Sequence, residues 1–184
     1  MLTRYSAWLQ EKSTGKITVI ALVVFILFTA LVLPSQAAIA EENTNTAESP
    51  DTSFFYTAQD LYRMAEEYGE EGRAAYILAR FTFDVVWPVI YTFFLLTALS
   101  WLGGRLFNES KWTFLNMVPL LGALFDYLEN IGASVVFSRF PTTTPLLDIL
   151  TPVFTLLKWV FIGGSFVILA VEAAAVLWKT ITER

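Results

Sequence analysis

Four long apolar stretches alternate with shorter polar segments along the chain, and that alternation predicts an all-α membrane protein. The stretches cover residues 17–39, 81–104, 112–137 and 146–178. Each is as long as the ~20 residues that cross a hydrocarbon core of about 30 Å, so the prediction is a four-transmembrane-helix bundle within one membrane domain, 1–184. Residues 41–56 are polar and acidic and predict a mobile outer linker. Thr57-Ala58-Gln59-Asp60 carries the side chains of a capping box, and Leu61, Met64, Ala65 and Tyr68 follow at helical spacing. This predicts an extracytoplasmic amphipathic cap over residues 57–80, its first helix ending near Gly69 and a second turn at Gly72 leading into the second span, anchored at the lipid boundary by Phe54, Phe55 and Tyr56.

The first stretch has a second reading. Basic residues, an apolar run and Ala38-Ile39-Ala40 before Glu41 also resemble a secretory signal with its cleavage site. The run exceeds the usual signal length of about 7–15 residues, which favours a retained span with Pro34 near its end. Orientation follows the basic residues. Arg4, Lys12, Lys16, Arg105, Lys111, Lys179 and Arg184 flank one side of the four spans, against Arg63, Arg73, Arg80 and Arg139 on the other. Seven against four puts both termini in the cytoplasm. Trp8, Trp101, Trp112 and Trp178 fall at that same inner boundary, as an aromatic belt would.

Polar residues inside the spans recur at intervals of seven and so share one helix face. The second span carries Asp84, Tyr91, Ala98 and Arg105, and the fourth carries Thr151, Lys158, Ser165, Glu172 and Lys179. On the third, Asp126, Glu129 and Asn130 lie within one turn, with Asn116, Pro119 and Ala123 continuing the face. A charge at mid-bilayer costs roughly 2.5–3.5 kcal/mol on insertion scales, while a Leu or Phe returns only about 0.3–0.6. The groups therefore need one another. Rises of ~1.5 Å per residue put Glu129 and Lys158 at similar depth and let either Glu129 or Asp126 pair with Lys158. Arg80 can approach Asp84 from above, and Glu172 can meet Arg105 or Lys179 by snorkelling. The candidate polar pocket is Asp84, Tyr91, Asp126, Glu129, Asn130 and Lys158, with Arg73 and Arg80 on its outer rim. Gly103-Gly104 and Gly163-Gly164 read as sites of close helix packing.

Composition narrows the chemistry. The chain has no Cys and no His, which excludes thiol nucleophiles, disulfide exchange, His-held haem, His-type zinc sites and the Ser-His-Asp triad. Asp84, Asp126 and Glu129 could hold a hard cation, but Lys158 beside them argues against a metal, and no cofactor is implied. Net charge is −5, and nine acids against one Arg lie between Glu41 and Glu71, so nucleic acid is not an expected partner. Membrane lipids are, together with a protein partner through the outer helix 57–80, and an oligomer is compatible with so small a bundle.

Gly72-Arg73 with Tyr76, Asp84 with Pro88 and Tyr91, Asp126 with Glu129-Asn130, and Lys158-Trp159 stand in an order and spacing covering most of residues 57–160. In these pieces the chain resembles a family of small four-helix bacterial integral membrane proteins of uncharacterised function. The resemblance implies an intact first span and a bacterial cytoplasmic (inner) membrane, and carries over no catalytic residue and no substrate. Three classes follow from the residues. The first is a non-enzymatic binding or accessory protein with a polar interhelical pocket. The second is an intramembrane enzyme on a lipid or isoprenoid-like substrate, with Asp126 or Glu129 as general acid/base and Lys158 stabilising negative charge. The third is a small proton-coupled transporter using Asp84, Glu129 and Lys158.

Overall fold

The protein is described from a computed structural model covering residues 2–44, 48–106 and 111–183. All regular secondary structure among these residues is helical. Four helical segments are long and apolar enough to cross a membrane: Gly15–Thr44, Gly69–Leu106, Phe114–Arg139 and Leu147–Thr182.

A short helix α1 (Leu2–Lys12) precedes the first span, which consists of α2 (Gly15–Leu27), a π-helical turn (Phe28–Val32) and α3 (Leu33–Thr44). Pro34 does not end this helix. Lacking an N–H, it cannot donate to the carbonyl four residues back, and the wider π turn immediately before it absorbs the defect. After the described residues resume at Glu48, a strap of turns leads into α4 (Ala58–Glu67). Both hydrogen bonds of the capping box are present: the Asp60 N–H donates to the Thr57 hydroxyl at 3.2 Å, and the Thr57 N–H donates to the Asp60 carboxylate at 2.9 Å.

The capped helix of the expected cap 57–80 ends where the sequence reading puts it, at Gly69, whose φ of +64° suits a residue without Cβ. The second turn expected at Gly72 is absent: α4 packs against α7 and α8, whereas α5 (Gly69–Phe81) runs on through a break at Thr82 into α6 (Phe83–Leu106) within one long apolar helical segment. Gly72 is a packing position: a Cβ there would lie 3.0 Å from the Asn43 carbonyl of α3. A 3-10 helix (Lys111–Met117) leads into α7 (Val118–Arg139), and α8 (Leu147–Thr182) completes the chain.

The antiparallel pair α7 and α8 forms the most extensive interface, with α6 against both, α2 against α6 and α3 against α5. Close approach of α7 to α8 is set by Gly122 and Gly132, where a methyl group would collide with Ile162 and with the Thr151 hydroxyl. Gly163 and Gly164 face open space and make no tight crossing of the kind expected of them, and a Cβ on Gly104 would come near Gln10 at 3.8 Å.

The bundle is apolar outside and polar within. Val153, Val160, Val167 and Val171 of α8 are exposed, while Thr151, Lys158, Ser165 and Glu172 are buried. In water that arrangement would be unstable; against acyl chains it is the favourable one. One end holds the strap and α4, and is called the strap end below. The other holds α1, where Ser6, Ser100 and Asn116 are joined by hydrogen bonds of 2.9 to 3.2 Å.

Candidate functional site

The site lies in the half of the bundle nearer the strap end, where five charged side chains from five elements alternate in sign. Asp84 of α6 meets Arg80 of α5 at 2.6 Å, one helical turn away across the Thr82 break. Arg80 reaches Asp51 of the strap at 3.3 Å. The other oxygen of Asp51 accepts from the Lys158 ammonium of α8 at 2.9 Å, and Lys158 pairs with Glu129 of α7 at 2.5 Å. The order is therefore Asp84, Arg80, Asp51, Lys158, Glu129. Arg80, Asp84, Glu129 and Lys158 are all more than nine-tenths buried. Removing any one partner would strand a charge in a low-dielectric interior, so the array binds α5, α6, α7, α8 and the strap to one another.

Asp126 lies beside this array without a basic partner. Its carboxylate accepts from the Tyr91 hydroxyl at 2.9 Å and from the Asn130 amide at 3.3 Å, both neutral donors. Oxygens of Asp51, Asp126 and Glu129 fall within 4.8 Å of one another, a grouping that could hold a metal ion. Two of the three are already ion-paired to the Lys158 ammonium, which fills the cation's role there. Glu129 Oε1, Asn130 Oδ1 and the Tyr76 hydroxyl are buried without a hydrogen-bond partner among the described residues.

All six pocket residues expected from the sequence thus fall in one neighbourhood, and Arg80 stands with them. Arg73 does not. Its guanidinium donates to the Ala65 carbonyl at 2.7 Å and lies 4.8 Å from the centre of the Phe140 ring, so it fastens α5 to α4 and is absent from the cavity lining. Glu172 is buried but pairs with neither Arg105 nor Lys179; Arg105 instead stacks on Trp101 at 4.0 Å. Its distance along α8 from the strap end keeps it out of the array.

Asp51 is the residue that sequence reasoning missed. It lies within the segment expected to be a mobile linker, yet the described part of that segment is pinned at four places. Glu48 pairs with Arg63 at 2.8 Å and its carbonyl accepts from Tyr68 at 2.7 Å. Asp51 joins the two cations, the Ser53 carbonyl accepts from the Trp159 indole at 3.1 Å, and the Tyr56 hydroxyl shares a hydrogen bond with Thr155 at 2.9 Å. Tyr56 is consequently buried and does not act as a lipid anchor, whereas Phe54 and Phe55 are exposed. Withdrawal from water would raise the Asp51 pKa, but the attraction of Lys158 and Arg80 outweighs it and holds the carboxyl below its ordinary value. Ser49-Pro50-Asp51-Thr52 is a turn-forming run, and that was the available signal. Residues 45–47 of the expected linker, and the side chain of Trp112 in the expected aromatic belt, lie outside the described residues.

Against the array opens a cavity of about 520 Å³. Its lining on the first span runs from Phe25 to Asn43, ~27 Å of helix at 1.5 Å per residue. Opposite stand Ala75, Ala79 and Phe83 of the second span with Ile162 and Phe166 of α8. Asp51, Tyr76, Arg80, Asp126 and Lys158 bring the array to its wall, and Gln36, Glu41, Asn43 and Thr44 of α3 add further polar side chains. Exposed Ala37 and Ala40 belong to its wall, so it opens beside α3. The volume falls within the roughly 300–1,000 Å³ typical of small-molecule sites. No protein-family model, curated protein or solved structure matches the chain.

Proposed function

We propose that this is a multi-pass membrane protein that binds an amphipathic, lipid-like molecule between its helices, as a binding or accessory protein and not by turning it over. The cavity carries this reading. Its lining extends along α3, its wall includes Phe, Ala, Leu and Ile side chains, and Asp51, Arg80, Asp126 and Lys158 meet at it. An alkyl chain along α3 would replace lipid contacts with protein contacts, while a polar head would meet those charges. The Lys/Arg count supports cytoplasmic termini, which would put the strap end on the outer side of a bacterial cytoplasmic membrane and the cavity mouth in the outer leaflet.

A partner surface on α4 is narrower than the sequence suggested. Leu61, Met64, Ala65 and Tyr68 pack against Tyr76, Val136 and Phe137, which leaves the exposed Arg63, Glu66 and Glu67 for any docking protein.

The test is mass spectrometry of lipids retained through purification in mild detergent, comparing the native chain with Ala79→Trp and Ala37→Trp. Both substitutions fill the cavity and leave the ionic array unchanged. The expected result is one lipid class enriched about tenfold over bulk membrane in the native chain and lost in both variants. Identical lipid profiles in all three proteins would refute the proposal.

A further inference from the structure

Within the binding reading above, the structure assigns the ligand a charge: the cavity takes an amphiphile whose polar head is an ammonium group. The argument begins with what is unpaired. Arg80 is held between Asp84 and Asp51, and Lys158 between Asp51 and Glu129, so each basic group already faces two carboxylates. An incoming phosphate or carboxylate would have to displace a buried acid from one of them. Asp126 is different. It lines the cavity, is 4% exposed, and accepts hydrogen bonds from two neutral donors, Tyr91 and Asn130, while Lys158 and Arg80 attract it from farther off and are paired to other acids. Four carboxyl groups (Asp51, Asp84, Asp126 and Glu129) stand against two basic groups, Arg80 and Lys158, so acids outnumber bases in this neighbourhood.

A second observation is independent of the acids. The cavity wall is rich in aromatic rings: Tyr76 and Trp159 already have Arg80 and Lys158 over them, at 4.6 and 5.2 Å, while Tyr68, Phe83, Trp87 and Tyr91 line it without a cation of the protein's own among the described residues. Trp87 lies edge-on to Tyr91 at 5.5 Å between ring centres, and Tyr91 is the residue that donates to Asp126. A carboxylate set beside indole and phenol rings is the arrangement that recognises alkylammonium and quaternary ammonium groups, because ring faces and carboxylate both attract a diffuse cation. The ring walls also accept the methyl or methylene groups that surround such a nitrogen. A bare divalent ion gains nothing from those rings, and two of the three carboxylates that could hold it, Asp51 and Glu129, are already paired to Lys158. The Tyr76 hydroxyl, buried and without a partner, offers a donor to an oxygen further along the same head.

The shared chemistry is an alkyl chain ending in an ammonium group, whether that group belongs to a membrane lipid or to a free long-chain amine. The experiment uses the full chain in nanodiscs of phosphatidylglycerol and radiolabelled dodecyltrimethylammonium at concentrations below micelle formation. Saturable binding at one probe per chain is expected. Dodecyl phosphate should compete at least tenfold less well. Asp126→Asn should weaken the cationic probe about tenfold or more while leaving binding of dodecanol within twofold. Trp87→Leu serves as the second variant should Asp126→Asn fail to fold, and it should likewise reduce the preference for the cation over dodecanol. Competition by unlabelled phosphatidylethanolamine in the nanodisc would mark a lipid source, and its failure to compete would mark a free amine.

The ammonium assignment falls if dodecyl phosphate binds as tightly as the cation, or if both variants keep the native preference for charge. If amphiphiles of any charge bind and Ala79→Trp blocks them all, the binding reading stands without the ammonium. If none binds saturably to the native chain, both are overturned.

Discussion

The two ends of the bundle solve the same problem in opposite ways. At the α1 end, Ser6, Ser100 and Asn116 satisfy one another through neutral hydrogen bonds among buried side chains. At the strap end, five charged groups alternate in an array with an excess of acid, and a cavity opens against them. Neutral polar contacts are enough to fix helix register in a membrane, where such bonds average well under about 2 kcal/mol. Charges cost more to bury, and here they both fasten the strap to the helices and face a cavity. The α1 end has the fastening without the charges.

The largest effect should come from breaking the array. Lys158→Met removes the ammonium shared by Asp51 and Glu129, leaving Glu129 without its cation and Asp51 with Arg80 alone. Unfolding in detergent should show a loss of roughly 3–5 kcal/mol. A loss below about 1 kcal/mol would mean the array is not the strap end's main fastening. At the other end, Asn116→Ala should cost about 1–3 kcal/mol through the loss of its buried hydrogen bonds with Ser6 and Ser100, with no change in bound amphiphile. If lipid retention fell with it, the division between the two ends would be wrong.

Gly132→Ala should cost about 1–3 kcal/mol, because the added methyl meets Thr151 at the tightest crossing of α7 and α8. Gly163→Ala, facing open space, should change stability by no more than about 0.5 kcal/mol in the same assay.

Acid should act on the strap late. The Asp51 carboxyl has its pKa depressed in the folded protein, so its contribution is full above the ordinary value near 3.8 and fades as pH falls toward the lower folded value. Hydrogen exchange over residues 48–56 should therefore stay slow down to about pH 4 and quicken only below it. Loosening between pH 6 and 5 would point to another group as the strap's fastening. Arg63→Gln should also have a small effect. Its pairs with Glu48, Asp60 and Glu67 are well exposed, and their loss should cost at most about 1 kcal/mol.

What could be read in advance follows from which contacts obey a local period. Lys158 and Glu129 were legible because apolar surroundings make any buried charge conspicuous and the seven-residue series gave its direction. The capping box at Thr57 and Asp60 was legible because it is made within four residues. Asp51 was not, since its partners lie 29 and 107 positions away in the chain and its neighbours are those of an ordinary polar linker. The second half of the expected cap was misassigned for a related reason. Residues 69–81 are amphipathic because they pack against α3 and α7, and period alone does not tell that from packing on a membrane surface. Glycine pairs in sequence drew the eye to Gly163 and Gly164, whereas close approach depends on what the facing helix presents.

The most direct measurement is photo-cross-linking of the full chain in membranes with a long-chain amine carrying a diazirine on its alkyl tail, followed by peptide mapping. Labels on Ala79, Trp87 and Ile162, removed by Ala79→Trp, are the result this account predicts. Labels confined to Val86, Val167 and Val171 on the outer face of the bundle, unchanged in that variant, would contradict it.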